Sequence, residues 1–427
     1  MAGLKRRMCQ QHTHARHGAQ PIKAGVVRWF VHCIKTSRKA DRMAATAPQR
    51  ILVGLGTFLF VLSILIPTVL VPRLRVIPLD AGGRTVTEET TATLFDARAF
   101  ATNTALDQYK NDPDCTAEGD LPTKCFIGNT PVQGVRNIST VEPSDKKLVT
   151  LRAGNVLMRL DKNEAEALIS ATVDTVTLDR RSAYPKDDST FYAVAPDLGL
   201  DDSTGAFQRE GLQYQFPFHS ERKSYPYFDT TAQTAHPIDY LDDETRHDVN
   251  TYTYTQKLDA VNMFDAIQGV FTRDGNVTDK EKAALAGLRM RSTAGRWYSP
   301  SELQERGLKP DDNIVMTRYY TVERTLNVEP TTGVIVMGQE KLHYFFASTP
   351  EEADTVVRTG EVSPYRTALR VDAQWNSDTQ DAQTSKATEG RTKLKALATA
   401  RYISLLLGVA MLLWAAYSIY RSRRATS

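Results

Sequence analysis

The chain has 427 residues, of which 41% are hydrophobic and 24% charged, a composition typical of a globular protein and not of a disordered one. Its charges are segregated, because residues 1–50 contain eleven basic residues and one acid, whereas residues 51–420 contain 39 basic and 49 acidic residues. An acidic body repels phosphate groups, which argues against nucleic acid as a partner.

Residues 1–50 are interpreted as a basic cytoplasmic segment. Met43 begins the stretch "MAATAPQRILVG" directly before the first apolar run and is therefore an alternative start. His12, His14 and His17 lie close together in this segment, but nothing nearby completes a metal coordination shell. A solvated tail whose charge follows from membrane topology explains the segment best.

Two apolar runs are each long enough to cross about 30 Å of hydrocarbon as a helix. Ile51–Val71 contains no charged residue, and Tyr402–Tyr420 is the second such run. A pair of buried core helices, or a cleaved signal peptide for the first run, are the alternatives. "TVLVPRLRVIP" offers no small-x-small cleavage site, which favours an uncleaved anchor.

Basic residues lie on the outer flank of both apolar runs, around Arg50 and within residues 421–427. The positive-inside rule then places both termini in the cytoplasm and residues 72–401 on the far side of the inner membrane. Residues 421–427 form a short cytoplasmic tail in this interpretation.

The four cysteines divide between the two predicted compartments. Cys9 and Cys33 fall in the basic segment, where a reducing cytosol keeps thiols free. Cys115 and Cys125 fall in the polar loop "CTAEGDLPTKC" of the acidic body, where an oxidising compartment favours a local disulfide over two free thiols.

The body between the runs is rich in predicted strands. Arg84–Phe95 mixes β-branched and polar residues, and Val249–Leu258 alternates tyrosines with threonines at period two. Gly154-Asn155 predicts a hairpin turn within "KKLVTLRAGNVLMRL". Two further runs flank Glu329–Gly333, a turn by composition, and predict one long hairpin.

Helices are predicted in an insertion near 278–308. "TDKEKAALAGL" and "SPSELQERGL" both begin with the capping-box pattern, and Gly287 and Gly307 occupy the positions where each helix should end. "TKLKALATARY" is predicted to run directly into the second apolar segment. The predicted fold is therefore α+β: one β-rich exoplasmic domain, barrel-like with an apolar cavity, between two transmembrane helices.

Sequence motifs for catalysis or cofactor binding are missing. The chain contains no G-x-S-x-G nucleophile elbow, no Walker A loop and no G-x-G-x-x-G. The pairs Asp187-Asp188, Asp201-Asp202 and Asp242-Asp243 lie in polar stretches where solvated turns are the ordinary explanation. No catalytic residue, metal ligand or cofactor is assigned, and the chain is not predicted to be an enzyme.

Aromatic residues are concentrated on both sides of the charged centre His219–Ser224. In an extended chain such rings share a face, so two bent β arms joined at this centre are predicted. The rings either form one side of an ordinary core or line an apolar groove for acyl chains. The candidate lipid-binding residues are Tyr214, Phe216, Phe218, Tyr225, Tyr227, Phe228, Tyr252 and Tyr254.

The order of these segments resembles a known family. The stretch "GLQYQFPFHSERKSYPYFDTTAQTAHPIDYLDDE" is followed by "YTYTQKL", by "YYTVERTLNVEPTTGVIV" and by a span with a basic end. From about Ile51 to Arg424 the chain resembles the actinobacterial porin PorA family. The first 50 residues and the insertion at 278–308 depart from the family's pattern.

The resemblance implies a role in the cell envelope, where members are linked to lipoglycan assembly and to mycolate lipid trafficking. Two helical anchors differ from the alternating strands of a membrane β-barrel, so a porin is less favoured. An inner-membrane protein that binds or transports an envelope lipid or glycolipid is the expected function. A scaffold for envelope transporters or glycosyltransferases is the alternative, an envelope hydrolase is less favoured, and the oligomeric state is left open.

Overall fold

The computed structural model describes residues 46–195, 200–203 and 205–425. These form two compact units, one made of residues 46–63 and 403–425 and the other of Ile64–Tyr402. The predicted cytoplasmic segment with Met43 and its three histidines lies outside the described residues, apart from its last five.

Helices account for both ends of the described chain and for several short connections. The first helix, α1, changes to π-helical geometry at Ile66–Leu70, where Pro67 removes a backbone donor. The helices are α1 (Ala47–Leu65), α2 (Val71–Leu74), α3 (Ala97–Ala101), α4 (Glu164–Ala167), α5 (Met263–Phe271), α6 (Asp279–Leu288), α7 (Ala294–Trp297), α8 (Pro300–Arg306), α9 (Pro350–Thr359) and α10 (Ser377–Ala425).

Fifteen strands form one large antiparallel sheet in the described chain. The strands are β1 (Gly83–Val86), β2 (Thr90–Phe95), β3 (Ile127–Val141), β4 (Leu148–Arg159), β5 (Leu168–Asp179), β6 (Thr190–Ala195), β7 (Leu200–Ser203), β8 (Tyr225–Asp229), β9 (Thr234–Arg246), β10 (Val249–Lys257), β11 (Val261–Asn262), β12 (Arg289–Thr293), β13 (Asn313–Glu329), β14 (Val334–Ala347) and β15 (Thr367–Gln374). Their order in the sheet is β7-β6-β5-β4-β3-β2-β15-β14-β13-β10-β9-β8, with β1 paired to β3 and both β11 and β12 paired to β13. The predicted combination of a β-rich domain with terminal apolar helices is confirmed.

The sheet curls so that strands far apart in its order share one core. Val176 of β5 packs in the same buried cluster as Tyr227 of β8, Tyr254 of β10 and Leu326 of β13. Because β5 and β8 lie near opposite ends of the strand order, this contact brings the two ends of the sheet together. The curved sheet surrounds its own core, as the large antiparallel sheet of a single domain commonly does.

The predicted long hairpin is present as β13 and β14, which pair from Thr317 with Ala347 to Glu329 with Val334. The turn between them needs Gly333, which has φ of 72° and whose added Cβ would lie 2.1 Å from the Phe216 carbonyl oxygen. A larger residue at this position is excluded by both the backbone conformation and the space.

The predicted insertion is helical at both ends and contains a strand that the sequence pattern missed. Thr278 caps α6 and Ser299 caps α8, each in a complete capping box, and Gly307 ends α8 in the left-handed conformation. The predicted stop at Gly287 is wrong, because α6 continues to Leu288 and leads into β12. Hydrogen bonding to β13 holds the residues of β12 in the sheet.

The predicted hairpin turn at Gly154-Asn155 is also wrong. Both residues lie inside β4, where Gly154 pairs with Asn137 of β3 on one side and with Val173 of β5 on the other. Hydrogen bonds to β3 and β5 pair the backbone groups of β4 on both sides. They keep Gly154-Asn155 extended, although this dipeptide would otherwise favour a turn.

Cys115 and Cys125 form the disulfide that the sequence predicts, and both are buried. They pack against Phe126 and Trp297 in a small apolar cluster beside β2. Lys124 binds the carboxylates of Asp112 and Asp114, which lie just before the loop that the bridge closes. Burial opposes the charge of Lys124, but the hydrogen bonds to these carboxylates outweigh it, so the pKa of Lys124 is raised. The bridge closes a loop that holds little regular structure of its own.

The two apolar runs form helices that are long and apolar enough to cross a membrane, within Ala47–Leu74 and Ser377–Arg424. Their contact is close, because a Cβ on Gly408 would lie 2.8 Å from the Phe60 amide nitrogen. Near the other end of the contact, the side-chain amide of Gln49 donates to the Ser418 hydroxyl over 3.0 Å. Close approach at glycine and a polar contact between helices are the usual stabilising features of membrane helix pairs.

Replacing Gly408 with valine should disrupt the helix pair, because no space exists for the added side chain. Overpacking of this kind typically costs about 1–3 kcal/mol. We expect a lower melting temperature of the detergent-solubilised protein, measured by fluorescence-detected gel filtration. Gly54→Val is the matched control, since no atom lies within 4 Å of a Cβ at Gly54. Equal melting temperatures for the two variants would contradict the helix contact.

Removal of the disulfide by the double substitution Cys115→Ser and Cys125→Ser should lower the free energy of unfolding by about 2–3 kcal/mol, since the bridge closes a short loop. Guanidinium denaturation followed by tryptophan fluorescence measures the change, because Trp297 packs in the same cluster. A reductant should destabilise the wild-type protein by the same amount and leave the double variant unchanged. An equal effect of reductant on both proteins would show that the bridge is not the cause.

Candidate functional site

A cavity of about 470 Å³ lies within the sheet domain, against the inner faces of its strands. Its volume is in the range of pockets that hold one small molecule. Apolar residues form most of the wall, and a few charged and aromatic side chains interrupt it. The polar and aromatic lining residues include Arg136, Asn155, Tyr214, Tyr227, Arg318, Arg324 and Glu340.

Arg324 of β13 is almost completely buried and binds groups from three other strands. Its Nη2 donates to Asp229 Oδ2 over 2.9 Å, its Nε donates to Glu340 Oε1 over 2.7 Å, and its Nη1 donates to Gln256. The Tyr320 hydroxyl donates to the same Asp229 oxygen over 3.2 Å. A buried charge of this kind is stable only when its donors are paired, and here they are shared among β8, β10 and β14.

The charge of Glu340 is maintained despite its burial. Burial alone acts to raise the pKa of this carboxyl group, but the guanidinium groups of Arg324 and Arg136 outweigh it, so the pKa is lowered. Glu340 therefore remains ionised and places a negative charge in the cavity wall.

A second buried cluster holds the ring of Tyr214 at the edge of the cavity. Arg209 and Asp174 form an ion pair with no solvent exposure, and Gln213 accepts a further hydrogen bond from Arg209. The Tyr214 hydroxyl donates to Asp174 Oδ2 over 2.6 Å. Burial, followed by the charge of Asp174, raises the pKa of Tyr214, so the phenol stays protonated as the donor.

The backbone at Tyr214 is in the left-handed region, with φ of 64°, which is unfavourable for a residue with a side chain. His219 has φ of 59°, so the predicted first β arm from Tyr214 to Phe218 is not a strand. Only the second predicted arm, at Tyr225–Asp229, forms a strand. The chain bends at the two positive-φ residues because Phe216 docks its backbone on the turn at Gly333.

Most of the eight candidate aromatic residues are core residues. Phe216 and Tyr254 are fully buried with ring centroids 4.7 Å apart, and Tyr225 contacts both. Phe228 is buried beneath Arg209, whereas Phe218 and Tyr252 are half-buried. Of the eight, Tyr214 and Tyr227 line the cavity. The structure therefore brings Phe216, Tyr225, Tyr227 and Tyr254 together as core packing, and it places Tyr214 and Tyr227 at the cavity wall.

The remaining polar candidates do not form a site. Asp243 of the pair Asp242-Asp243 accepts from Arg222 and Tyr240 on the surface, and Asp188 accepts from Gln208. The side chains of Asp201-Asp202 are outside the described part. Among the described residues, no group of three or more His, Cys, Asp or Glu is arranged to hold a metal ion.

The charged residues of the cavity wall were not predicted from the sequence, although the residue pattern of β13 contains one indication of them. In β13 the inward positions alternate as Tyr320, Val322, Arg324, Leu326 and Val328, all of them buried. A charged residue at a core-facing position of an alternating strand needs a buried partner and therefore indicates a polar cluster. Which residue supplies that partner depends on strand pairing and cannot be read from the pattern.

Fold and site define a class of protein: a membrane protein in which a β-sheet domain with an internal cavity lies in sequence between two apolar helices. Residues 50–417 match the Porin PorA family. A relative described as "Porin PorA" from Corynebacterium amycolatum is 40% identical over 357 residues, which cover 80% of this chain and 90% of that protein. A second, "Porin PorA" from Corynebacterium resistens, is 36% identical over 400 residues, or 88% of this chain and 97% of that protein. The chain belongs to the Porin PorA family, as the resemblance predicted.

The family relationship corrects the expected function. Transport of an envelope lipid or lipoglycan was expected and a porin was ranked lower, but both relatives are described as porins and neither description mentions lipid. The aromatic residues that supported the lipid interpretation are mainly core residues. The two helical anchors are evidence against a pore built from membrane strands, but they do not exclude other channel architectures.

Replacing Arg324 with methionine should strongly destabilise the sheet domain, because Asp229 and Glu340 would keep their buried charges without a partner. Breaking a buried pair typically costs about 3–5 kcal/mol. Guanidinium denaturation measures the loss. Arg222→Met is the matched control, since its pair with Asp243 is exposed to solvent and removal of such a pair has little effect on stability. Similar losses in the two variants would argue against the proposed importance of the buried cluster.

Proposed function

We propose that the chain is a non-enzymatic, channel-forming membrane protein. The observation that carries this proposal is the similarity to two proteins described as porins, which extends over 80% and 88% of this chain. Such coverage includes both apolar helices and the sheet domain together, so the whole architecture is shared and not one module of it.

The two membrane helices of one chain do not enclose a water-filled path by themselves. They are in contact at Gly408, where backbone atoms of α1 leave no room for even a Cβ. A helix is about 10 Å in diameter with its side chains, so a lumen needs further helices around it. We therefore propose that several copies of the chain assemble and that their helices line the pore.

The flanking charges support a single orientation of the chain. Arg50 precedes the first span and Arg421, Arg423 and Arg424 follow the second, which favours both termini on the cytoplasmic side of the inner membrane. The sheet domain then faces the opposite side. The Cys115–Cys125 bridge supports this orientation, since disulfides persist in oxidising compartments.

Purified full-length protein added to a planar lipid bilayer should produce stepwise increases in conductance of uniform size. Gly408→Val should abolish the steps because it disturbs the helix contact, and Gly54→Val should retain them. Detergent without protein is the blank.

The absence of conductance steps from the wild-type protein, at concentrations where it enters vesicles, would overturn the channel proposal. Conductance that is equal in both glycine variants would overturn the assignment of the pore to the helices. Crosslinking in the bilayer should give products larger than one chain, and a monomeric conducting species would contradict assembly.

A further inference from the structure

Arg136 on β3 is a cavity arginine without a carboxylate partner among the described residues. Its Nε donates to the Asn155 side-chain oxygen over 2.5 Å, and its guanidinium lies 5.9 Å from the centre of the Tyr214 ring. No described carboxylate is within 4 Å of it, in contrast to Arg324, which has two. Its terminal nitrogens make no hydrogen bond to a described residue and are free to bind a ligand.

A second donor in the cavity wall lacks a partner within the described chain. Tyr227 is only 6% exposed, lines the cavity, and has a hydroxyl that makes no hydrogen bond to any described residue. Burial raises the pKa of Tyr227, whereas the positive charges of Arg324 and Arg136 act in the opposite direction. The hydroxyl therefore stays protonated near the Arg136 charge. Tyr227 therefore offers a hydrogen-bond donor to a ligand in the cavity.

Buried polar contacts fix the position of the Tyr214 ring beside Arg136. Tyr214 is fixed by its hydrogen bond to Asp174, which is itself paired with Arg209. This anchoring maintains Tyr214 in its left-handed backbone conformation, with its ring next to the Arg136 guanidinium. Backbone strain that is maintained by buried polar contacts is common at binding sites.

Much of the remaining wall is apolar. Strands β4 and β5 and helix α5 contribute aliphatic and thioether side chains to it, and these are Val156, Leu157, Ile169, Met263, Ile267 and Val270. Polar side chains interrupt these strands at Asn155, Ser170 and Thr172. A mainly apolar ligand body with an acidic group directed at Arg136 fits this lining best.

We propose that the cavity binds a small organic anion with one carboxylate or sulfonate group on an apolar, ring-sized body. The anion would accept hydrogen bonds from Arg136 and Tyr227, since a guanidinium binds such groups with two parallel hydrogen bonds. One acidic group matches the one guanidinium end that Arg136 presents to the cavity, since the charge of Glu340 is already paired with Arg324. This site is independent of the proposed channel, as it lies wholly within the sheet domain.

Isothermal titration of the full-length protein in detergent with 2-naphthoate tests the site, with 2-naphthamide as the uncharged probe of the same shape. Titration into empty micelles provides the blank. We expect saturable binding of naphthoate, about 10- to 100-fold tighter than that of the amide, which is the range for hydrogen bonds to a charged group.

Arg136→Met should remove the preference for the acid and leave binding of the amide unchanged, which also shows that the cavity is intact. Tyr227→Phe should weaken naphthoate binding about 2- to 10-fold, as expected for one neutral donor. Arg152→Met is the matched control, because Arg152 is an exposed arginine on β4 outside the cavity.

Three results would overturn the proposal: no saturable binding of either probe, equal affinities for acid and amide in the wild-type protein, or a preference for the acid that persists in Arg136→Met. Loss of the preference in Arg152→Met as well would have the same consequence, since the effect would then come from net charge. None of these results depends on whether the protein conducts ions.

Discussion

A buried guanidinium group needs a partner for each of its donors, and Arg324 obtains them from three neighbouring parts of the sheet. Asp229 lies at the end of β8, Gln256 in β10 and Glu340 in β14, so one side chain joins strands that are distant in sequence. Leu326 and Val328, which follow it in β13, pack in the core that the two ends of the curled sheet share. Strand pairing, cavity shape and the charge of the wall all depend on this cluster, because each carboxylate would be costly to bury without it.

The membrane helices are stabilised by a different force. Lipid tails are as apolar as the helices, so burial of apolar surface does not drive their association, and close contact at Gly408 together with the Gln49–Ser418 hydrogen bond must do so. The sheet domain, by contrast, is held by buried aromatic packing around Phe216 and by paired charges. The family relationship shows that both parts occur together in relatives described as porins.

The aromatic stretch from Tyr214 to Phe228 illustrates why a pattern of residues does not define a ligand. Rings that alternate along a chain share a face only if the chain is extended, and positive φ at Tyr214 and His219 breaks that condition. Phe216 consequently enters the core, and Tyr214 turns toward Asp174 and the cavity. The expected lipid-transport function was wrong because the relatives are described as porins, and the rings that suggested it lie mainly in the core.

Features that depend on local chemistry could be predicted from the order of residues alone. These are the two apolar helices, the disulfide between Cys115 and Cys125, the capped helices that begin at Thr278 and Ser299, and the β13–β14 turn at Gly333. The place of Gly154 within a strand depends on tertiary structure, since pairing on both sides outweighs the turn preference of a single dipeptide. Tertiary structure also decided which charges meet in the cavity, because a strand pattern gives the face of a residue but not the residue opposite it.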